Sequence, residues 1–213
     1  QKEINESRIA LGIQTMKEYN NYCYYVAGLV GNGLVRLFLE NNLIPNENLE
    51  EINDSLVIKE NSMGGFLQKT NIIRDVYEDY LEGRFYYPQE IWKKYLKHEN
   101  DTFGHFFSPE YLEYSDNSIK MLNHMIMDAL QYVPDILSSL RIVEDTEVFQ
   151  CCAIPQVMAV HTLKKCYNNA DVFRKKIKLR KGLTAKLLYT KNMIDVEKEF
   201  SYVLESIDSQ RNI

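Results

Sequence analysis

The segment Asn61-SMGGFLQKTNIIRDVYEDYLEG-Arg84 constrains the fold more than any other part of the chain. Wound as a helix at about 100° per residue, it gathers Gln68, Asn71, Asp75, Glu78, Asp79 and Glu82 into one wedge about 100° wide. Phe66, Ile73, Tyr77, Tyr80 and Leu81 fall on the opposite side. Helix formers dominate elsewhere too, and no stretch alternates cleanly with period two. Helices are expected at about 2–18, 22–40, 60–82, 88–97, 108–114, 117–141, 146–167, 182–190 and 192–208. Breaks are expected at Asn41-Asn42 with Pro45, between Gly83 and Pro88, around Gly104, at Glu144-Asp145 and at Asn168-Asn169. The polar stretch 41–54 reads as a surface excursion. No repeat or low-complexity segment divides the chain, so a single all-helical domain over 1–213 is the economical reading.

Composition narrows the function classes. Twenty-five Lys and Arg stand against 30 Asp and Glu, a net charge of −5, which gives no general footprint for nucleic acid. Cys23, Cys151, Cys152 and Cys166 form no C-x-x-C pair, and the four histidines form no metal-binding pattern. That usage fits reduced thiols facing the cytosol rather than a zinc site or a disulfide framework. The most apolar run, Tyr22 to Val35, is shorter than the roughly 20 residues needed to span a bilayer. It reads as a buried core helix. Gly28, Gly31 and Gly33 lie within it rather than after a strand, so close helix packing explains them better than a dinucleotide loop.

Two readings of the acidic wedge remain open from the residues alone. One is a solvated amphipathic face. The other is a cation site, because Asp75 and Asp79 are like charges at i,i+4 with Glu78 beside them, and no Lys or Arg interrupts the wedge. Mg²⁺ takes one or two carboxylates and completes its shell with water and phosphate oxygens. An Asp-x-x-Glu-Asp string alone does not decide between them.

The neighbouring strings do. Asn61-SMGGFLQKTNIIRDVYED resembles the second aspartate-rich motif of the squalene synthase family. Tyr22-CYYVAGLVGNGLVRLF resembles its tyrosine-bearing helix. Cys152-AIPQVMAV, Cys166-YNN and Lys178-LRKG resemble its C-terminal block, in the family's order. The resemblance implies an isoprenoid-synthase helical bundle, here lacking its N-terminal helices. It also implies joining of two farnesyl diphosphates to presqualene diphosphate with Mg²⁺, then reduction to squalene with NADPH.

Carried over residue by residue, Asp75, Glu78 and Asp79 match the metal motif, and Arg74 matches a diphosphate or cofactor-phosphate contact. Gln68 and Asn71 match polar neighbours on the same face. Tyr22 matches the proton-abstracting tyrosine, and Lys178 and Arg180 match a phosphate-binding strip. Those last two are i,i+2, so they share a side only if 176–181 is extended; the expectation is that they then face Asp75. Fifteen Tyr and nine Phe could line a carbocation cavity. Location at the cytosolic face of the endoplasmic reticulum, through a C-terminal membrane anchor not present in this chain, is also implied.

Several features depart from the family. Tyr24 stands where it has His, Cys151 stands where it has an aromatic, and the first aspartate-rich motif is absent. A phytoene- or dehydrosqualene-type synthase working without NADPH therefore stays open. So does a non-catalytic helical fragment.

Overall fold

The structure, a computed structural model, describes residues 9, 11–43, 49–108 and 115–211, with 49–60 as backbone only. Among the described residues there is no β-strand. Chain order gives α1 (Met16–Cys23), a π-helical turn (Tyr24–Gly28), α2 (Leu29–Glu40), α3 (Leu49–Arg74), α4 (Val76–Leu81) and α5 (Gln89–Trp92). Then come α6 (Ser115–Leu130), α7 (Val133–Leu140), α8 (Thr146–Cys166), α9 (Lys181–Leu187) and α10 (Met193–Arg211). Three 3₁₀ turns connect them, at Lys93–Tyr95, Phe103–Phe106 and Ala170–Phe173.

α3 is the axis of the bundle. It packs against the π-turn and α2 on one side and against α6, α7 and α8 on the others. Its interior residues Phe66, Ile72 and Ile73 are buried. At Gly64 a Cβ would lie 2.4 Å from the Ala27 carbonyl oxygen, so α3 and the π-turn meet backbone to backbone. Gly28 has a related role, facing the Tyr24 ring and Asn61, whereas a Cβ on Gly33 would meet nothing within 4 Å. Close packing therefore explains Gly28 but not Gly33.

Lys69 is the buried exception on α3. Its side chain is 1% exposed, its Nζ lies 2.6 Å from Asp128 Oδ2 on α6, and it sits over the rings of Tyr19 and Tyr132. One ammonium thus touches α1, α6 and the start of α7.

Several expected boundaries moved. The helix expected over 2–18 has no counterpart at 11–14, where the chain turns and runs extended; residues 1–8 lie outside the described residues. The helix begins at Met16, because Thr15 Oγ1 accepts from the Glu18 N–H and Glu18 reaches back to the Gln14 N–H. The Thr-x-x-Glu spacing is the legible sign of that start. The expected break near residue 20 does not exist, and Met16–Glu40 forms one continuous helix. It is long and apolar enough, by length and composition, to cross a membrane. It is not the buried core helix expected, since Tyr25, Val26, Leu29, Val30, Leu34 and Leu37 are exposed.

Residues 49–54, read as excursion, already belong to α3. The helix expected over 117–141 splits into α6 and α7 because Pro134 stands in the first turn of α7. Pro155, by contrast, lies inside α8. The helix expected at 108–114 falls largely outside the described residues. The breaks at Asn41-Asn42, Gly83 and Asn168 hold, with positive φ at Asn42, Gly83 and Asn168.

Replacing Lys69 by Met leaves the half-buried Asp128 carboxylate without its cation, and a lost partner of this kind costs about 3–5 kcal/mol. Urea melts of Lys69→Met and Asp128→Leu should each show that loss. The double variant should recover most of it.

Candidate functional site

The acidic face is built where α3 ends. Asp75 leaves helical geometry at φ −97° and ψ 10°, yet its carbonyl still accepts from the Asp79 N–H at 2.9 Å. α4 therefore continues the direction of α3 after a small offset. Gln68 and Asn71 lie one to two turns before Asp75, half-buried and exposed respectively. Behind the carboxylates Tyr77 and Tyr80 pack inward, with Tyr80 stacked on Phe107 at 4.0 Å and Phe103 joining Phe85, Tyr87 and Trp92. These rings pack on one another as part of the core, with Phe85 at its edge. Leu81, expected on the apolar side, is exposed.

Each carboxylate of the wedge has a cation, and only one of those cations was singled out in the sequence. Arg74 forks onto its neighbour, Nε to Asp75 Oδ1 at 2.7 Å and Nη2 to Oδ2 at 2.5 Å. Lys176 meets Glu78 Oε1 at 2.6 Å. Arg84 donates from Nε and Nη2 to Asp79 Oδ1, at 3.0 and 2.7 Å, and also grips Glu82.

Gly83 makes the Arg84 contact possible. Its φ of 73° turns the chain back, so that the Arg84 N–H reaches the Asp79 carbonyl at 2.8 Å and the guanidinium returns to the carboxylate. Burial pushes the Asp79 carboxyl above its usual range, while Arg84 opposes that shift.

Tyr22 joins this end of the face. Its ring stacks on Tyr86 at 5.0 Å, and both line an open groove of about 330 Å³ with Ile13, Arg84 and Phe85. Burial and the hydrogen bond with Tyr86 hold the Tyr22 phenol well above its ordinary value. Tyr22 and Arg84 thus border one groove, and Arg84 links it to Asp79.

The basic strip behaves in part as expected. Residues 176–180 are non-helical and α9 starts at Lys181. Ile177 and Leu179 turn inward while Lys176, Lys178 and Arg180 face out. The cation that reaches the acidic face, however, is Lys176. Lys178 is held through its carbonyl by Lys165, and Arg180 lines a separate groove with His161, Lys165 and Leu183. An extended register aims three cations outward, and the first of them lies nearest α4. Arg84, Lys176 and Tyr86 were missed in the sequence. The period-two pattern K-I-K-L-R and the Gly83 turn were the available signs.

No group of three or more His, Cys, Asp or Glu able to hold a metal occurs among the described residues. The fit to Mg²⁺ rests on a narrower observation. Glu78 Oε2 is buried without a hydrogen-bond partner, beside Asp75 and Asp79. An orphaned carboxylate oxygen among acidic neighbours suits a hard cation that brings water and phosphate oxygens with it. All four cysteines are free thiols.

A family model for squalene/phytoene synthase matches residues 3–182. The chain belongs to that family. It is 45% identical over 180 residues to a rat squalene synthase, covering 83% of this chain and 39% of the relative. It is 44% identical over 188 residues to Arabidopsis thaliana squalene synthase 1, covering 86% and 43%. A solved structure of TcSQS with the ligand BPH1237 superposes with a TM-score of 0.84 at 36% identity, over 93% of this chain and 55% of that one. The chain therefore spans about two fifths of the length of the curated relatives it matches. The isoprenoid-synthase helical fold expected from the sequence is the one observed.

Arg84→Leu removes the group that holds the Asp79 titration down. Carbon-detected NMR should show Asp79 titrating at higher pH in that variant than in the parent. Because the shift is upward, ionising Asp79 costs the folded state stability as pH rises through the carboxylate range. In Arg84→Leu that loss should extend to higher pH.

Proposed function

We propose that this chain supplies part of a squalene synthase active site. In that reaction two farnesyl diphosphates join head to head into presqualene diphosphate, which is then rearranged and reduced to squalene with NADPH in isoprenoid and sterol biosynthesis. The observation that carries the reading is the open groove lined by Tyr22 and Arg84, with Arg84 paired to Asp79 one turn beyond Asp75. Association with the endoplasmic reticulum membrane, cytosolic side, belongs to the same reading.

The residues divide the work. Asp75, Glu78 and Asp79 would hold Mg²⁺ together with diphosphate oxygens, and Mg²⁺ when bound supplies positive charge to the departing diphosphate. Arg74 and Arg84 already stand against the carboxylates, so a diphosphate arriving there meets preplaced guanidinium groups. Gln68 and Asn71 extend the polar face along α3. For NADPH the fit rests on cations: Lys178 and Arg180 stand exposed on the extended strip, suited to phosphate.

Tyr22 stays a neutral phenol at any working pH, because burial and Tyr86 raise its titration. A neutral phenol oxygen is a weak base, yet a carbocation is a far stronger acid than any amino-acid side chain. In the first step the C–H bond next to the cationic carbon breaks and its electron pair closes the cyclopropane ring. Its proton passes to Tyr22 Oη as Tyr22 hands its own proton on toward released diphosphate.

The test uses the full-length enzyme of which this chain forms part. Asp75→Asn and Asp79→Asn each remove ligand charge but no core volume, so presqualene diphosphate formation should fall by orders of magnitude with the melting temperature nearly unchanged. Near-normal turnover in both would defeat the metal assignment. Tyr22→Phe keeps the ring stacked on Tyr86 and should slow the first step by at least about 10²-fold; unchanged first-step kinetics would return Tyr22 to a packing role. Product analysis with and without NADPH separates squalene formation from a dehydrosqualene-type product.

A further inference from the structure

Far along the chain from the acidic face, α8, α9 and α10 enclose two adjoining grooves. One, of about 300 Å³, is lined by His161, Lys164, Lys165, Arg180, Leu183 and Tyr202. The other, of about 250 Å³, shares His161, Leu183 and Tyr202 and adds Lys186, Lys198 and Glu199. Five cations therefore border the pair of grooves against one carboxylate. Glu199 is itself taken up by Lys186 at 2.9 Å and by His161 at 2.8 Å. Burial lowers the His161 titration, so the ring is a neutral donor there and adds no charge.

The same corner exposes apolar side chains. Leu188, Tyr189 and Ile194, at the turn from α9 to α10, are 54%, 74% and 75% exposed. Ile194, Lys198 and Tyr202 follow at i, i+4 and i+8, one stripe on the outer side of α10. Lys164 lies over the Tyr202 ring at 3.7 Å, which joins the stripe to α8. On this stripe the exposed Lys198 thus lies between the exposed Ile194 and Tyr202.

We propose that this α9–α10 corner seats the protein on an anionic lipid bilayer, a contact separate from the anchor the family resemblance implies. Leu188, Tyr189 and Ile194 enter the boundary between headgroups and acyl chains, while Lys186 and Lys198 meet lipid phosphates and carboxylates. Charge complementarity singles out this occupant. The chain as a whole carries −5 and is repelled by an anionic surface, so only a locally cationic face can approach one, and it fixes the orientation. A basic collar around exposed Leu, Ile and Tyr is the composition that lies in a membrane interface. The exposed side of α2 offers a contrast: Arg36 is its one cation, so a contact through α2 would be indifferent to lipid charge.

The experiment is co-sedimentation of the 213-residue chain with phosphatidylcholine vesicles, with and without phosphatidylserine. Binding should require phosphatidylserine and weaken with salt. Lys198→Glu, a change of two charges, should lower partitioning at least about tenfold. Leu188→Ser with Ile194→Ser should produce a similar loss, and because all three side chains are exposed the melting curve should not move. Equal binding to neutral vesicles, or no binding to either kind, overturns the proposal. Loss of binding on Val30→Ser but not on the corner substitutions overturns it too, by assigning the contact to α2. Release of the chain by inorganic phosphate at constant ionic strength would show a site for soluble phosphate and overturn it as well.

Discussion

The buried ammonium of Lys69 organises the bundle. Its salt bridge to Asp128 and its place over two tyrosine rings fix α1, α6 and the first turn of α7 against the one helix that carries the acidic face. A charge so deep is stable only while every partner is present, because removing any of them leaves an ion in a low-dielectric interior. The helices therefore cannot slide on α3 without losing the pair. Asp75 lies six residues further on, just past the end of α3, so its position relative to Tyr22 is inherited from this contact. Tyr19, three residues before Tyr22, packs directly against Lys69, and the tyrosine of the candidate site is set by the same pin.

On the acidic face, like charges are held together by cations of the chain itself. Asp75, Glu78, Asp79 and Glu82 would repel one another on a helix, and Arg74, Lys176 and Arg84 offset that repulsion from three directions. These pairs are partly exposed, so each contributes modestly to stability and is easily exchanged. Such an arrangement lets an incoming anion recruit the guanidinium groups while the carboxylates turn to a cation. Glu78 Oε2 is buried there without a hydrogen-bond partner, and that marks a place where the face is electrostatically incomplete.

Helix periodicity made the fold class and the acidic wedge legible, since burying Phe66 and Ile73 while exposing Asn71 needs only local geometry. Gly83, Asn42 and Asn168 were readable as breaks for the same local reason. What escaped depends on distant parts of the chain. Arg84 and Lys176 are ordinary surface cations in sequence, and only the fold brings Lys176 against Glu78, 98 positions away. Tyr22 was identified through a resemblance, but its stacking on Tyr86 was not visible. The number of aromatic residues does not say which of them close on one another, as Phe103 and Tyr80 do here. Lys69 was overlooked because a lysine on an amphipathic helix normally faces water.

The π-helical turn at Tyr24–Gly28, closed by the Leu29 N–H to the Tyr24 carbonyl, contains one residue more than an α-helical turn would use. That extra residue resets the azimuth of everything after it by about 100°. Upstream of it Tyr19 and Cys23 look into the bundle; downstream Val35 does so, while Leu29, Val30, Leu34 and Leu37 look out. Wound as an unbroken α-helix, the same residues would bring Val30, Leu34 and Leu37 round to the side of Tyr19 and Cys23 and turn Val35 outward. The outward orientation of α2 is thus encoded by a count of residues and not by their polarity.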